Sequence, residues 1–352
     1  MKRREFVLAR ARFSVVALAL TTLALPSLAL DSPAALKRLV IVKCGDGKFP
    51  DDVRKRWIQV FREEGLVDGR DAVLQFEERI GGSPHGNGPW TLDSEQRARE
   101  IIATRPAGIM ACGSKIHLFK SLTQEVPLIF YGIGWDPVEW GLVQSYSRPG
   151  GNLTGAAFPE MQADGTYAVD EKLLDLLLEL RPLAKRVGRP YGEDELRDGD
   201  PSVTSEIAAW KKTMSKRGLE YVQIALPKDP GPAVVIDAIR RAKIDLLLFY
   251  RPMSPEVRDF LVGEHIPFSG GDIYHGGLVY FYASFDENLL NAAKIAVKVV
   301  RGADPATIPV RFPTRYYTRI NLNTAREMGL IVPPSVLMQA DEVIDINPRS
   351  AR

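Results

Sequence analysis

The sequence predicts an α/β protein of two doubly wound (Rossmann-like) lobes, on three observations. Short apolar runs alternate with amphipathic helical segments from Leu39 to Ile133. That alternation breaks at Trp135–Gly155 and resumes from Asn152 to Tyr274. Two further strand-and-helix units follow, too small to bury a core of their own, so they are expected to return to the earlier sheets.

In the first half, LVIVKC from Leu39 is apolar throughout, as a strand covered on both faces should be. A helix is predicted over 52–64, stopped by Gly65, then a strand AVLQF from Ala72. The helix over 92–104 places Leu92, Ala98, Ile101 and Ile102 among charges and ends before Pro106. Strand GIMAC, a helix from Ser114 and strand PLIFYGI complete a doubly wound unit of about four strands. The segment Gly81–Trp90 is rich in Gly and Pro and reads as a loop rather than a lid.

Trp135–Gly155 carries two turn signals. Asp136-Pro137 is suited to open a short helix, and Arg148-Pro149-Gly150-Gly151-Asn152 to close it. The reading adopted is a passage from lobe to lobe, with Gly150 and Gly151 as hinge candidates; the alternative is a long surface loop. The second half then repeats the grammar. Helices are predicted over 167–180, 203–217, 233–243 and 255–264, with strands AKRVG, LEYVQIAL, IDLLLFY and IPFSGGDIY between them and a strand over 152–158 before them.

In the tail, a strand over 277–283 precedes a helix over 285–301 with Leu289, Ala292, Ala293, Ala296, Val299 and Val300 on one face. TRYYTRI and a helix over 321–328 follow, with crossovers expected near 280 and 313. The expected domains are therefore 36–150 plus about 284–312 for lobe 1, and 151–283 plus about 313–346 for lobe 2.

The N-terminus has the makings of an export signal over residues 1–29. Basic residues from Lys2 to Arg12 precede the apolar run Phe13–Leu25 and a small-residue site at Ser27-Leu28-Ala29. The run is shorter than the ~20 residues a membrane span needs. Lys2-Arg3-Arg4-Glu5-Phe6 fits a twin-arginine signal, and an ordinary secretory signal is the alternative. A periplasmic location is expected. The whole chain of 352 residues has 46 basic and 44 acidic side chains. The first 29 hold five basic and one acidic, so the remainder carries a formal charge of −2. Nothing in that balance points to nucleic acid.

Cys44 and Cys112 are the two cysteines of the chain, which excludes a disulfide scaffold and a cysteine-based zinc site. They close the first and third strands, neighbours in a doubly wound sheet. An oxidising compartment permits a bond between them, whereas neighbouring strands often do not suit one. His85 and His117 stand apart from any carboxylate cluster, so no metal site is expected. No G-x-S-x-G elbow, P-loop or H-E-x-x-H stands in the sequence, and neither an enzyme nor a cofactor is expected.

Ligands of open parallel sheets bind beyond the carboxyl ends of the strands. That rule selects Cys44–Asp46, Gly113, Ser114, Tyr131, Trp135 and Asp136 in the first lobe. In the second it selects Phe158–Glu160, Tyr191, Tyr250, Arg251, Asp272 and Tyr274. Gly113-Ser114 leads, because backbone N–H groups at a helix start plus a hydroxyl suit a carboxylate. Ser114 is equally well placed as a simple N-cap. The tyrosines and Trp135 would supply aromatic walls.

Two blocks carry a family resemblance: DPVEWGLVQSYSRPGGNLTG and VVRGADPATIPVRFPTRYYTRINLNTAREMGLIVPPSVLMQADEVI. They resemble the ABC transporter substrate-binding protein family, in particular its tryptophan- and tyrosine-binding branch. The resemblance implies a type I periplasmic-binding fold with three crossovers, a central cleft and closure on a small-molecule ligand. It further implies delivery to an ABC permease in the membrane, and a ligand acid group at the turn holding Ser114. A monomer is expected. The chain departs from the amino-acid-binding members at Tyr250-Arg251-Pro252, where they have an acidic residue. Arg favours carboxylates, so a small carboxylated ligand, aromatic or otherwise organic, is expected rather than a plain aromatic amino acid. A sensory partner of a membrane receptor is the alternative role, with an α/β enzyme ranked behind it.

Overall fold

In the computed structural model the described residues are 36–45, 47–81, 90–158, 162, 164–197, 201–249, 253–270 and 276–345. The expected signal segment, Asp46, most of the Gly81–Trp90 segment and the candidates Pro159, Glu160, Tyr250, Arg251, Asp272 and Tyr274 lie outside them.

The first lobe is assembled from β1 (Lys37–Val42), α1 (Asp51–Glu63), β2 (Ala72–Glu77), α2 (Leu92–Ala103), β3 (Gly108–Cys112), α3 (Lys115–Leu122), β4 (Leu128–Ile133) and β5 (Leu153–Ala157). All five strands are parallel, in the order β2-β1-β3-β4-β5. Residues of one strand alternate between two buried faces. Leu39 and Ile41 join Trp57 and Phe61 of α1, while Val40 and Val42 join Ile101 of α2 and Phe119 of α3. Each large side chain buried in this way contributes about 1.5–3 kcal/mol.

α9 (Phe285–Val300) returns from far along the chain to cover the face shared by α1. Ser284 caps it by accepting from Glu287 N at 3.1 Å. The predicted apolar face is the one it buries, with Ala292, Ala293 and Ala296 fully enclosed.

The second sheet has seven strands in the order β12-β11-β10-β9-β8-β6-β7. Its strands are β6 (Arg186–Gly192), β7 (Glu220–Leu226), β8 (Leu246–Leu248), β9 (Phe268–Ser269), β10 (Val279–Ala283), β11 (Tyr316–Asn321) and β12 (Glu342–Ile344). The helices α4 (Ala168–Leu180), α6 (Pro201–Lys216), α7 (Pro232–Ala242) and α8 (Pro255–Gly263) cover it. The short helices α5 (Glu193–Arg197), α10 (Leu322–Glu327) and α11 (Pro334–Leu337) complete the lobe. β10 and β11 are antiparallel to each other, and the remaining pairs are parallel. Neither α5, α11 nor β12 was legible from periodicity, being three to five residues long.

The Trp135–Gly155 stretch differs from its reading in three ways. No regular helix forms between its turn signals; a single helical turn does, with Trp140 N donating to Asp136 O at 3.1 Å. β5 belongs to the first sheet, although residues from 151 onward were assigned to lobe 2. Gly155 makes this possible. A Cβ there would lie 2.2 Å from Phe130 O and 2.5 Å from Phe130 Cδ2, so only glycine lets β5 approach β4 at its register shift.

The third difference concerns the hinge. Gly150 and Gly151 adopt positive φ values of 72° and 66°, but they turn within the first lobe, before β5. The chain leaves that lobe one strand later, between Ala157 and α4. It returns at Ala283–Phe285 and leaves again at 312–316. The last two passages run side by side, with Ser284 N donating to Arg315 O at 2.8 Å. Glu287 binds them together: its carboxylate accepts from Thr314 N at 2.9 Å, Arg315 N at 2.8 Å and Thr314 Oγ1 at 2.8 Å. Burial pushes the Glu287 carboxyl upward, and these donors outweigh it to leave the pKa below the ordinary value.

Cys44 and Cys112 form a disulfide across β1 and β3, with Cα atoms 4.9 Å apart. Strand adjacency brings the two within bonding range because Cys44 lies just past the end of β1 rather than in its ladder.

Candidate functional site

Where the three passages cross, a cavity of about 490 Å³ opens between the sheets. Phe158, past the end of β5, stacks on Phe285, the first residue of α9, at 6.0 Å between ring centres. Opposite them, Tyr280 and Tyr282 lie two residues apart on β10, so they share one face. Their rings meet edge to face at 4.8 Å, and Tyr282 is backed by Tyr317 at 5.4 Å. Tyr167 and Asp170, at the start of α4, and Arg189, Glu206 and Ser269 supply the polar groups.

Arg189 is the one arginine or lysine among the described lining residues of this cavity. It is 12% exposed and forms an ion pair with Glu206, itself 31% exposed. Its Nε donates to Tyr191 OH at 2.8 Å. The guanidinium lies 5.2 Å from the Tyr191 ring centre and 6.0 Å from that of Trp210. Planar stacking of this kind suits Arg and not Lys. Tyr191 OH in turn lies 2.7 Å from Tyr221 OH, and burial raises the pKa of both phenols.

Tyr167 is 5% exposed and its hydroxyl is likewise pushed upward, first by burial and then by the charge of Glu139. Ser205 on α6 bonds to Tyr167 and donates to Glu139 in the turn after β4. That contact joins the two lobes beside the cavity.

A second cavity of about 430 Å³ lies within the second lobe, beyond the carboxyl ends of β6, β7 and β8. Tyr191 lines it, as do Leu226, Val235 and Val257.

The predicted residues separate into three groups. Tyr191 and Phe158 line the cavities. Tyr131 is a core residue, 2% exposed, with its hydroxyl donating to Val42 O at 2.8 Å and its ring against Trp57. Asp136 is equally structural: it is 2% exposed, and Oδ1 accepts from Val138 N at 2.7 Å and Glu139 N at 2.9 Å, while Tyr146 donates to Oδ2. Both were chosen for their place at a strand end, yet their polar atoms turn back onto the protein. Trp135 packs against Trp140 at 5.3 Å and His117 at 6.2 Å in a first-lobe aromatic cluster.

Gly113 and Ser114 are not among the described lining residues of either cavity. Gly113 has φ +58° and its N–H donates to Tyr131 O at 3.1 Å, so that donor is already engaged. Ser114 forms no capping bond, contrary to the N-cap reading. Next to it Lys115, 3% exposed, places its ammonium 2.5 Å from Gly45 O. Sequence reasoning missed Arg189, Glu206, Tyr167, Tyr280 and Tyr282. The alternating tyrosines of VYFYA and an arginine inside the strand RVGRPYG were the available signals.

Comparison with known proteins bears on the fold. The sequence model of the family described as ABC transporter substrate binding protein matches residues 91–242. A tyrosine-binding protein of Clostridioides difficile is 22% identical over 288 residues, covering 80% of this chain and 77% of that protein. Among solved structures, an ABC domain in complex with L-Trp from Streptococcus pneumonia superposes with a TM-score of 0.66 at 20% identity, covering 88% of this chain and all of that one. A ligand-free, open substrate-binding protein with adhesive properties from Clostridium difficile gives 0.64 at 19% identity, covering 88% and 99%. These structures share the periplasmic-binding fold of two α/β lobes. The family is extracytoplasmic and its members are binding proteins that work with a membrane transporter; among the described residues no helix is long and apolar enough to cross a membrane. By the match over 91–242, the curated relative and the shared fold together, the chain is similar to ABC transporter substrate-binding proteins.

Proposed function

We propose that this protein is the extracytoplasmic receptor of an ABC importer and that it holds a small carboxylated aromatic ligand between its lobes. The observation that carries the reading is the cavity at the crossovers, with Phe158, Phe285, Tyr280 and Tyr282 around it and Arg189 at its edge. Aromatic walls with a few placed polar groups are the usual make-up of a small-molecule site. The acidic groups Asp170 and Glu206 on the same wall suit an ammonium, so amino acids enter the ligand class beside organic acids. Arg189 takes the role expected of Arg251.

Both lobes line the cavity, so a ligand there contacts them together and favours the closed arrangement. Among the described residues, the passages at 283–285 and 312–316 are segments that would bend. Delivery would then go to the permease from the closed monomer, in the periplasm.

A thermal-shift panel of aromatic amino acids, their deaminated acids and non-aromatic carboxylates tests the reading. A ligand at a hundred times its Kd adds about 2.7 kcal/mol, which raises the midpoint by several degrees. A shift with aromatic carboxylates alone is expected. Equal shifts with aliphatic acids, or none with any carboxylate, would remove this ligand class.

A further inference from the structure

The two cavities meet at one ion pair. Among the described lining residues they share Arg189 and Glu206 and no others, and those two side chains are bonded to each other. The pair is therefore the partition between an aromatic compartment at the crossovers and a second compartment within the second lobe. Its two halves are held differently. Arg189 is stacked on Tyr191 and Trp210 and bonded to Tyr191 OH. Glu206, more exposed, sits on the second turn of α6 and also accepts from Tyr191 OH at 3.3 Å.

We infer that the two compartments form a single bipartite site, and that the ligand is an aromatic molecule with a second, residue-sized arm, of the class of an aromatic dipeptide. This rests on the aromatic-ligand reading above and extends it. The ring lies with Phe158, Phe285, Tyr280 and Tyr282. The arm passes the Arg189–Glu206 partition and fills the space bounded by Leu226, Val235 and Val257. Three features support one site over two. Together the compartments remain within the ~300–1,000 Å³ usual for a single small-molecule site. Charges of both signs stand at the partition, where a dipeptide carries its amide and where one of its termini falls. The far compartment carries an aliphatic and proline patch, with Pro227, Pro230 and Pro232 along it, which suits an aliphatic side chain, and beside it the charged Asp194, Glu195, Lys228 and Asp229, which suit a dipeptide terminus.

Isothermal titration of the intact protein with L-tyrosine, L-tyrosyl-L-leucine and L-leucyl-L-tyrosine tests the inference. At least one dipeptide is expected to bind tenfold or more tightly than L-tyrosine, at one molecule per chain. Val203, on the first turn of α6, lines the second compartment and is not among the described lining residues of the first, so Val203→Trp takes up space in the second. It should erase the dipeptide's advantage and leave the L-tyrosine affinity within twofold. Dipeptides that bind no tighter than tyrosine, or two molecules per chain, overturn the bipartite site while the aromatic-ligand reading stands. No binding by any of the three overturns the bipartite site, and the aromatic-ligand reading falls with it only if the thermal-shift panel of aromatic carboxylates is also silent. The wild-type series decides the question even if the variant does not fold.

Discussion

Opening the Cys44–Cys112 bond is a direct test of what holds the first lobe. The two residues are 68 apart in sequence, and the loop between them carries α1, β2, α2 and most of β3. Chain-entropy arithmetic for a loop of that length gives about 4 kcal/mol at 25 °C, as an upper value. For a two-lobed protein of this size roughly 2–4 °C of midpoint accompanies each kcal/mol. Cys44→Ala/Cys112→Ala is therefore expected to melt about 8–16 °C below the oxidised parent. Cys112 is 3% exposed, so alanine avoids burying a hydroxyl. The bond also backs the cavity. At Gly132 a Cβ would lie 2.8 Å from Cys112 Sγ, 3.4 Å from Cys44 Sγ and 3.8 Å from Phe285 Cε2, which places all three in contact range of one point. The assay is a calorimetric or circular-dichroism melt of the parent, the reduced parent and the double variant, with mass spectrometry after alkylation. Alkylation of both thiols without reductant, or midpoints within a degree of each other, would refute the reasoning.

Two further outcomes follow from single sites. Gly155→Ala drives a methyl group into the Phe130 carbonyl, which is fixed by the sheet, and is expected to cost about 3 kcal/mol or more in urea denaturation. Gly151→Ala, in open space at positive φ, should cost only ~1–2 kcal/mol; equal losses would contradict the close approach of β5. Asp164 is held below its ordinary value of 3.8 by hydrogen bonds from Lys216 and Thr166. A lowered carboxyl adds stability that is fully present above the unfolded value and is lost as pH falls through the folded one. The stability gap between parent and Asp164→Asn should thus be constant above pH ~4 and close in stronger acid; a gap that widens there would reverse the sign.

Elements with strong periodicity were legible from sequence to within a residue or two. GIMAC is β3, and the small-residue face of α9 is the face it buries. These features are local, because a strand or helix reports its own period. The sheet to which β5 belongs was not legible, because nothing in NLTGAAF says which neighbour Gly155 will admit. Nor was the antiparallel β10–β11 pair, which is decided by two passages lying side by side. The site divided in the same way. The strand-end rule found Tyr191 and Phe158, and it also found Tyr131 and Asp136, whose polar atoms are satisfied internally. Arg189 and Glu206 are 17 residues apart in sequence on different elements. Only the packing of α6 against β6 makes them partners.

The late return of α9 has a bearing on how the chain is made. Its buried face supplies one side of the first-lobe core, and β10 and β11 supply the middle and one flank of the second sheet. At synthesis rates of about 5–20 residues per second, roughly 7–30 s separate the appearance of β5 from completion of α9. Through that interval α1 alone covers the face that carries Leu39, Ile41, Met110 and Ile129. Each lobe is therefore completed only as the last quarter of the chain emerges.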